Sequence, residues 1–238
     1  MQKPNVVLDI LSKRSKDGKD IDQIYRCMYN PEWYYLAYDS LAKNVKSNDL
    51  NSIDGMSLKR INCIVEEMKY ERYSWKKIHI VGIKKKKVSG FKSLVLVDWR
   101  DKLVQEVMYM ILSAIYEPRF NGASHAYRPN KGIHTALARI RQQGQACEYF
   151  IKGNISNCFN SIDHIILLTI LKRTIKDGRF IELIRKMLRS GRFEDDFIYG
   201  KTYSGITIGG KLSTLLLNIY LNELDVYIQD TLHNKFNV

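Results

Sequence analysis

Apolar residues recur along most of the chain at the three-to-four-residue spacing of an amphipathic helix. This spacing predicts helices over residues 5–14, 21–28, 163–174, 180–189 and 215–232, together with one that starts at Pro31 after Asn30 and one that runs from Ser57 to Met68. The longest predicted helix has an apolar face and is ended by Pro118; its apolar face consists of Leu103, Val104, Val107, Met108, Ile111, Ala114 and Ile115. The aromatic residues of the helix after Pro31 are expected to fill a core rather than stack on bases.

Three other segments show the composition of strands. Residues 77–83 and 92–97 flank the run KKKKVSG, which predicts a β-hairpin with a basic tip. Residues 149–155 are predicted to form a buried strand that ends in a short turn, with a helix opening at Ser161 or Asp163. Asn154 lies at the end of that strand, where many folds place metal ligands or catalytic groups. The predicted fold class is α+β and mainly helical.

The charge of the chain indicates a polyanionic partner. The 238 residues carry a formal net charge of +13, and residues 76–92 contain seven lysines and no acidic residue. Nucleic acid is the first partner to consider, although a solvated charged turn would explain the lysine run without a function. With 45% hydrophobic and 26% charged residues, the composition excludes an intrinsically disordered protein.

Other features bear on where the protein acts. No stretch is apolar for long enough to span a bilayer, so no membrane partner is expected. The four cysteines show no metal-binding spacing and are expected to be reduced. Because transit peptides contain few acidic residues, Asp9, Asp17 and Asp20 favour a bacterial cytoplasmic protein over an organellar one.

Residues 99–137, WRDKLVQEVMYMILSAIYEPRFNGASHAYRPNKGIHTAL, resemble a conserved segment of the group II intron reverse transcriptases, the maturases. YNPEWYYLAY, SIDGMSLKRI and TIKDGRFIELIRKMLRSG resemble three further segments of that family. The resemblance implies an N-terminal helical extension over 1–75, fingers over 76–145 and a partial palm over 146–238. The expected structure has reverse-transcriptase-like fingers with a basic β-hairpin and an incomplete palm sheet, without motif C, thumb and X domain.

The catalytic motif departs from the family pattern. Residues 149–164, YFIKGNISNCFNSIDH, resemble motif A, in which the family has aspartates at the positions of Asn154 and Asn160 and an aromatic gate at Phe159. The resemblance implies Mg²⁺ as cofactor, but Mg²⁺ prefers charged oxygen ligands. We therefore expect the two catalytic positions to be inactive, Mg²⁺ binding to be weak or lost, and no metal site or other cofactor.

The resemblance also implies residues that contact the nucleotide or template. Residues 203–217 resemble motif B, in which Ile208 replaces a glutamine whose hydrogen bonds an aliphatic side chain cannot make, while Gly209 and Gly210 remain. The other expected contacts are made by Arg128 and by the lysines of the predicted hairpin, which are Lys84, Lys85, Lys86, Lys87 and Lys92. His125 and His134 are expected to be structural, because nothing completes a ligand set.

Three interpretations of the function stay open. The first is a maturase-like protein that binds RNA, above all group II intron RNA, without polymerising DNA. The second is an enzyme, half of a split RNA-directed DNA polymerase, completed by a second polypeptide that supplies the missing palm and thumb. The third is a remnant without function. The sequence does not decide between them.

Overall fold

The computed structural model describes residues 2–42, 57–84, 91–144, 149, 151–190, 192–194, 197–199, 203–206 and 210–232. Helices dominate this part of the chain. The α-helices are α1 (Pro4–Lys16), α2 (Pro31–Ala42), α3 (Leu58–Lys69), α4 (Trp99–Tyr116), α5 (Ile133–Gln143), α6 (His164–Thr174), α7 (Gly178–Leu188) and α8 (Lys211–Val226). Short 3₁₀ turns occur at Tyr25–Tyr29 and Glu117–Arg119, and α8 continues into a π-helical turn at Tyr227–Leu232.

Helix α4 is the centre of the core. Its apolar face is buried along its whole length, and it packs against α1, α2 and α8. Trp33 and Tyr34 of α2 are fully buried and Tyr38 packs against the core, as predicted for the aromatic residues of this helix, whereas Tyr35 is 40% exposed and the prediction is wrong for it. One continuous cluster of buried side chains extends from Leu11 to Ile219. Residues from the ranges 1–75, 76–145 and 146–238 all contribute to it.

The predicted helix starts are fixed by polar side chains that accept hydrogen bonds from free backbone N–H groups. Asn30 Oδ1 accepts from the Glu32 amide at 3.1 Å, and Asp163 Oδ1 accepts from the Ile165 amide at 2.7 Å. Ser57 caps α3 through the amide of Arg60. The capping roles predicted for Asn30, Ser57 and Asp163 are therefore confirmed.

In the part of the chain that the structure describes, four short strands form one sheet in the order β2-β1-β3-β4. Strands β1 (Ile78–Lys84) and β2 (Phe91–Leu96) pair antiparallel, with Ile83 opposite Lys92. Strand β3 (Arg192–Glu194) pairs parallel to β1 and antiparallel to β4 (Phe197–Tyr199). The sequence did not predict β3 and β4, which are only three residues long each. Residues 85–90, the predicted basic tip, lie outside the described residues.

The prediction of a buried strand over residues 149–155 is wrong for the residues that the structure describes. Residues 149 and 151–155 have no regular secondary structure, and Tyr149, Ile151 and Ile155 are 85%, 94% and 50% exposed. A strand exists only where a neighbour accepts and donates its backbone hydrogen bonds. Within the described chain, none of the four strands pairs with this segment.

Two smaller predictions are corrected by local hydrogen bonds. Residues 21–28 do not form an α-helix, because Ile21 pairs with Ile175 in an isolated β-bridge and Tyr25–Tyr29 forms a 3₁₀ turn. Helix α7 begins at Gly178 rather than at Phe180, because the Asp177 side chain caps it. Among the described helices, none is both long and apolar enough to cross a membrane.

Candidate nucleic-acid interface

The motif A and motif B segments lie side by side through backbone hydrogen bonds. The amide of Ile206 donates to the carbonyl of Phe159, and the amide of Gly205 donates to the carbonyl of Ile162, each at 2.8 Å. Asp163 and Ser204 form an isolated antiparallel bridge next to them. The structure thus brings together two segments that are about 40 residues apart in sequence and that the resemblance assigns to one site.

Gly205 is required at this junction for two reasons. Its φ is +88°, a conformation that L-residues rarely adopt, and a Cβ placed on it would lie 3.2 Å from the carbonyl oxygen of Asn160. A side chain at this position would therefore strain the backbone and push the motif A turn away from residues 203–206.

His164 is a site residue that the sequence reasoning missed. It is buried, its Nε2 lies 2.8 Å from the Gly205 carbonyl oxygen, and its amide donates to the Tyr203 carbonyl at 3.2 Å. Because a carbonyl only accepts, Nε2 carries a proton and donates it to Gly205, while the buried Nδ1 has no hydrogen-bond partner among the described residues. The imidazole holds the two motifs together, a role that the lone histidine after Asp163 did not signal.

The motif A side chains differ in exposure. Asn154 and Asn160 are exposed, whereas Phe159 is half-buried and packs against the core. The backbone amide of Asn160 donates to the Asn157 carbonyl at 2.8 Å and so closes a turn. The two positions that the resemblance assigns to catalysis are therefore exposed to solvent, and Asn160 lies next to Gly205 of the motif B segment.

A buried carboxylate of α4 holds the start of α8 in place. Glu106, whose side chain is almost fully buried in α4, accepts a hydrogen bond from Ser40 at 2.8 Å and forms an ion pair with Lys211 at 2.6 Å. Gly210, the N-cap of α8, lies next to Gln105. Ile208 and Gly209, the other predicted motif B contacts, lie outside the described residues.

Arg128 lies inside the loop 120–132, which connects α4 to α5. Its side chain is buried, its Nε donates to Glu117 Oε1 at 2.9 Å, and its Nη1 donates to the carbonyls of Asn121 and Ser124 at 2.8 and 2.9 Å. The guanidinium also lies over the Phe120 ring at 5.0 Å. Because these contacts occupy most of the guanidinium donors, Arg128 organises the loop, and its predicted contact with a nucleotide or template stays a prediction.

Positive charge surrounds the same loop. Burial, together with the charges of Lys131 and Arg139, lowers the pKa of His125. Burial and the charge of Arg128 lower the pKa of Lys131. His125 Nδ1 lies 2.8 Å from Thr135 Oγ1, in agreement with the structural role predicted for it. Three cationic side chains, Arg128, Lys131 and Arg139, therefore lie around this loop.

Two of the predicted hairpin lysines, Lys84 and Lys92, lie at one end of the β1–β2 strand pair. Lys84 is the last residue of β1 and is opposite Phe91, the first residue of β2; Lys92 follows directly. Lys85, Lys86 and Lys87 lie outside the described residues. The backbone register thus places Lys84 and Lys92 at the end of the strand pair that borders the lysine run.

Comparison with known proteins agrees with this geometry. Residues 83–237 match the model of the family described as reverse transcriptase (RNA-dependent DNA polymerase). The chain belongs to the reverse transcriptase family. The match covers β2, α4 and both motifs, so the conserved segment recognised in the sequence and the junction of motifs A and B belong to one family domain.

The relatives define the branch of this family. The group II intron-encoded protein LtrA of Lactococcus lactis subsp. cremoris is 36% identical over 96% of this chain and 39% of its own length. A 91 kDa protein in the cob intron of Schizosaccharomyces pombe is 38% identical over 94% of this chain and 28% of its own length. This reverse transcriptase chain therefore corresponds to an N-terminal portion of group II intron-encoded proteins and spans less than two-fifths of their length.

A solved structure shares the fold. A chain of the partial Cas6-RT-Cas1–Cas2 complex superposes with a TM-score of 0.58 at 19% identity, over 87% of this chain and 35% of that chain. At this level of identity the likeness concerns the fold alone. The reverse-transcriptase arrangement of helices is thus supported independently of the sequence comparison.

The side chains at the motif A positions do not fit the Mg²⁺ ion that the family implies. Asn154 and Asn160 offer one neutral amide oxygen each, whereas Mg²⁺ selects charged carboxylate oxygens. In the part of the chain that the structure describes, no group of three or more His, Cys, Asp or Glu side chains is arranged to hold a metal ion. No catalytic step through a metal follows from this donor set.

Proposed function

We propose that this chain is a group II intron reverse transcriptase/maturase-like protein that binds RNA and does not polymerise DNA. The observation that carries the proposal is the replacement of both motif A carboxylates by Asn154 and Asn160 on a retained junction of motifs A and B. Without carboxylates the site has no anionic ligands for metal ions that neutralise a triphosphate. The surrounding fold keeps the features that serve binding.

Positive charge supports RNA as the ligand. The chain carries a net charge of +13, and the backbone register places Lys84 and Lys92 beside the run of three lysines between the strands. In this proposal Lys84 and Lys92, together with the lysines at positions 85–87 of the sequence, contact RNA phosphates. Lysine provides point charges for such contacts, which are independent of sequence and weaken steeply with salt.

The remaining predicted contacts belong to the same surface in this proposal. Phe159 lies at the motif A turn, and Gly210 opens α8 directly after Ile208 and Gly209. In this arrangement, the face formed by motifs A and B meets RNA as a binding surface. Group II intron RNA is the proposed ligand because the relatives are encoded in group II introns.

A second function has a specific observation in its favour. The exposed Tyr149, Ile151 and Ile155 alternate as in a strand, and no described strand pairs with them. A second polypeptide that adds a strand here would complete the palm of a split polymerase. We expect no Mg²⁺-dependent primer extension even with that partner, because the asparagines persist. Robust extension by the wild-type pair would favour the split enzyme over the RNA-binding protein.

The experiment that tests the first proposal is RNA binding across a salt titration. The intron that flanks the gene is compared with an unrelated structured RNA of equal length. We expect a preference of about tenfold, roughly 1.4 kcal/mol, that persists at physiological salt. Equal affinities that fall together as salt rises would contradict a maturase-like function and favour a remnant with generic basic charge.

A variant measures the contribution of the hairpin. Lys84→Ala/Lys92→Ala is compared with Lys13→Ala/Lys16→Ala, which removes two lysines from the last turn of α1. Each lost phosphate contact lowers the slope of log K against log salt by about 0.7–0.9. We expect the hairpin variant to lower the slope and the α1 variant to leave it unchanged. Equal slopes for the two variants would show that Lys84 and Lys92 do not contact RNA phosphates.

A further inference from the structure

Tyr127 adopts an unusual conformation and is exposed. Its φ is +56°, and 67% of the residue is accessible to solvent. The left-handed region is disfavoured for a bulky L-residue and persists only where the surroundings enforce it. Among the described residues, no ring or cation stacks on the Tyr127 ring, and most of the residue is open to solvent.

Hydrogen bonds made by Arg128, Asn218 and Asn222 hold the backbone around Tyr127 in this conformation. Arg128, the next residue, binds two loop carbonyls and Glu117. Asn218 of α8 donates to the carbonyl of Ala126 at 2.8 Å, and Asn222 of α8 accepts from the amide of Asn121 at 2.9 Å. The loop is thus held by α8, the helix that motif B opens, and the exposed ring is fixed relative to that site.

Two cations lie against residues 122–124 of the same loop, and neither has a carboxylate partner among the described residues. Lys131 Nζ donates to the carbonyls of Gly122 and Ser124 at 3.1 and 3.3 Å, and Arg139 Nε donates to Gln143 at 2.9 Å. Neither forms an ion pair within the described ranges of the chain. The lowered pKa of His125, which burial and these two charges produce, is a separate sign that this positive charge is not neutralised.

We propose that Tyr127 is a stacking platform for one base of single-stranded RNA and that Lys131 and Arg139 bind the adjacent phosphates. An exposed aromatic ring and cations without carboxylate partners at one loop are the combination by which proteins hold unpaired nucleotides. This inference rests on the proposed RNA-binding function and assigns to it a contact residue. Arg128 is then the positioning residue, and its neighbour Tyr127 contacts the ligand.

The test measures binding of a single-stranded RNA with 2-aminopurine in place of one adenine, together with a duplex of the same length. Tyr127→Ala is expected to weaken single-strand binding roughly tenfold and to abolish the quenching of the probe by stacking, whereas Tyr127→Phe retains both. The duplex, whose bases are already stacked, is expected to bind equally to all variants. Tyr127→Ala should leave the salt slope unchanged, and Arg139→Gln should lower it by about 0.7.

Tyr70→Ala is the matched control. Tyr70 is also exposed, at 54%, and also lies beside two cations, but its φ is −96° and its ring is covered by Lys69 and Arg72 at 5.4 and 4.8 Å. We expect Tyr70→Ala to bind single-stranded RNA like the wild type. An equal loss in both tyrosine variants would overturn the assignment of a specific platform to Tyr127.

Folding is monitored with Tyr127→Gly, which relieves the left-handed strain. Its melting temperature should equal or exceed that of the wild type while its single-strand affinity falls as in Tyr127→Ala. If wild-type protein binds no RNA, the proposed function fails. If the wild type binds and Tyr127→Ala binds equally, the function stands and the stacking inference is overturned.

Discussion

Helix α4 and residues 149–155 are both rich in apolar side chains, yet one is the centre of the core and the other is exposed. Residues such as Leu103, Met108 and Ile111 have no solvent-accessible surface, whereas Ile151 is 94% exposed. Hydrophobicity is therefore not what separates the two regions. The difference lies in how each one satisfies its backbone.

A helix satisfies its own N–H and C=O groups, so α4 needs only apolar faces on α1, α2 and α8 to be buried. A strand must exchange hydrogen bonds with a neighbouring strand before it can be buried. Residues 151–155 have no such neighbour in the described part of the chain. The same apolar composition thus gives a core element in one region and an accessible segment in the other.

The largest expected effect separates these two regions directly. Ile111→Ala in α4 should lower the free energy of unfolding by about 2–5 kcal/mol, because it leaves a cavity in a packed core. Ile151→Ala removes the same atoms from an exposed position and should change it by less than about 0.5 kcal/mol. Urea denaturation of both variants measures the difference. Similar losses of stability in the two variants would show that residue 151 is buried in solution, and α4 and residues 149–155 would then not differ in burial.

A somewhat smaller effect is expected at the loop after α4. Arg128→Ala leaves Glu117 and two loop carbonyls without their partner and should cost about 2–3 kcal/mol, less than a fully buried ion pair because Glu117 is partly exposed. Arg173→Ala removes an exposed ion pair with Glu223 and should cost less than about 1 kcal/mol. Thermal unfolding of the two variants gives the ranking. Equal costs would mean that loop 120–132 is not held by Arg128.

The junction between motifs A and B gives the next effect. Gly205→Ala should cost about 2 kcal/mol, because φ is +88° and the added Cβ would crowd the Asn160 carbonyl. Gly178→Ala is the control: nothing lies within 4 Å of its Cβ position, so stability should stay equal or rise by up to about 1 kcal/mol. Both are measured by urea denaturation. A neutral Gly205→Ala variant would show that the two motifs are not tightly joined.

The features that the sequence predicted correctly are those that depend on nearby residues. Apolar periodicity located α4, and short polar side chains such as Asn30 and Asp163 marked helix starts, because a cap bonds amides two or three residues away. Whether residues 149–155 form a strand depends on a partner strand that is distant in sequence, and the local composition carries no information about that partner. That distinction explains why most of the predicted helices are present, whereas the predicted strand over 149–155 is not.

The candidate site follows the same rule. The resemblance identified motifs A and B, but the hydrogen bonds that join them, made by Gly205 and His164, appear only in three dimensions. Arg128 was expected to contact a nucleotide or template, since an exposed arginine and a buried one look alike in sequence. Its burial becomes visible only when Glu117 and the loop carbonyls surround it.

The smallest expected effect concerns a buried carboxylate of the helical region. Asp101 of α4 accepts hydrogen bonds from the Tyr73 hydroxyl at 2.6 Å and the Lys76 amide at 2.9 Å, and burial raises its pKa. The folded state therefore holds this proton more tightly than the unfolded chain. As pH rises through the folded-state pKa, the folded protein must ionise a buried group, so this contribution destabilises it.

Asp101→Asn removes this titration. We expect the stability of the wild type relative to the variant to fall as pH increases from about 4 to 7, as measured by urea denaturation at each pH. Tyr73→Phe removes a hydrogen bond that lowers the same pKa, so its inflection should move to higher pH. Parallel curves for the wild type and Asp101→Asn would show that this carboxylate is solvated and that the helical region is less tightly packed around α4 than its buried side chains indicate.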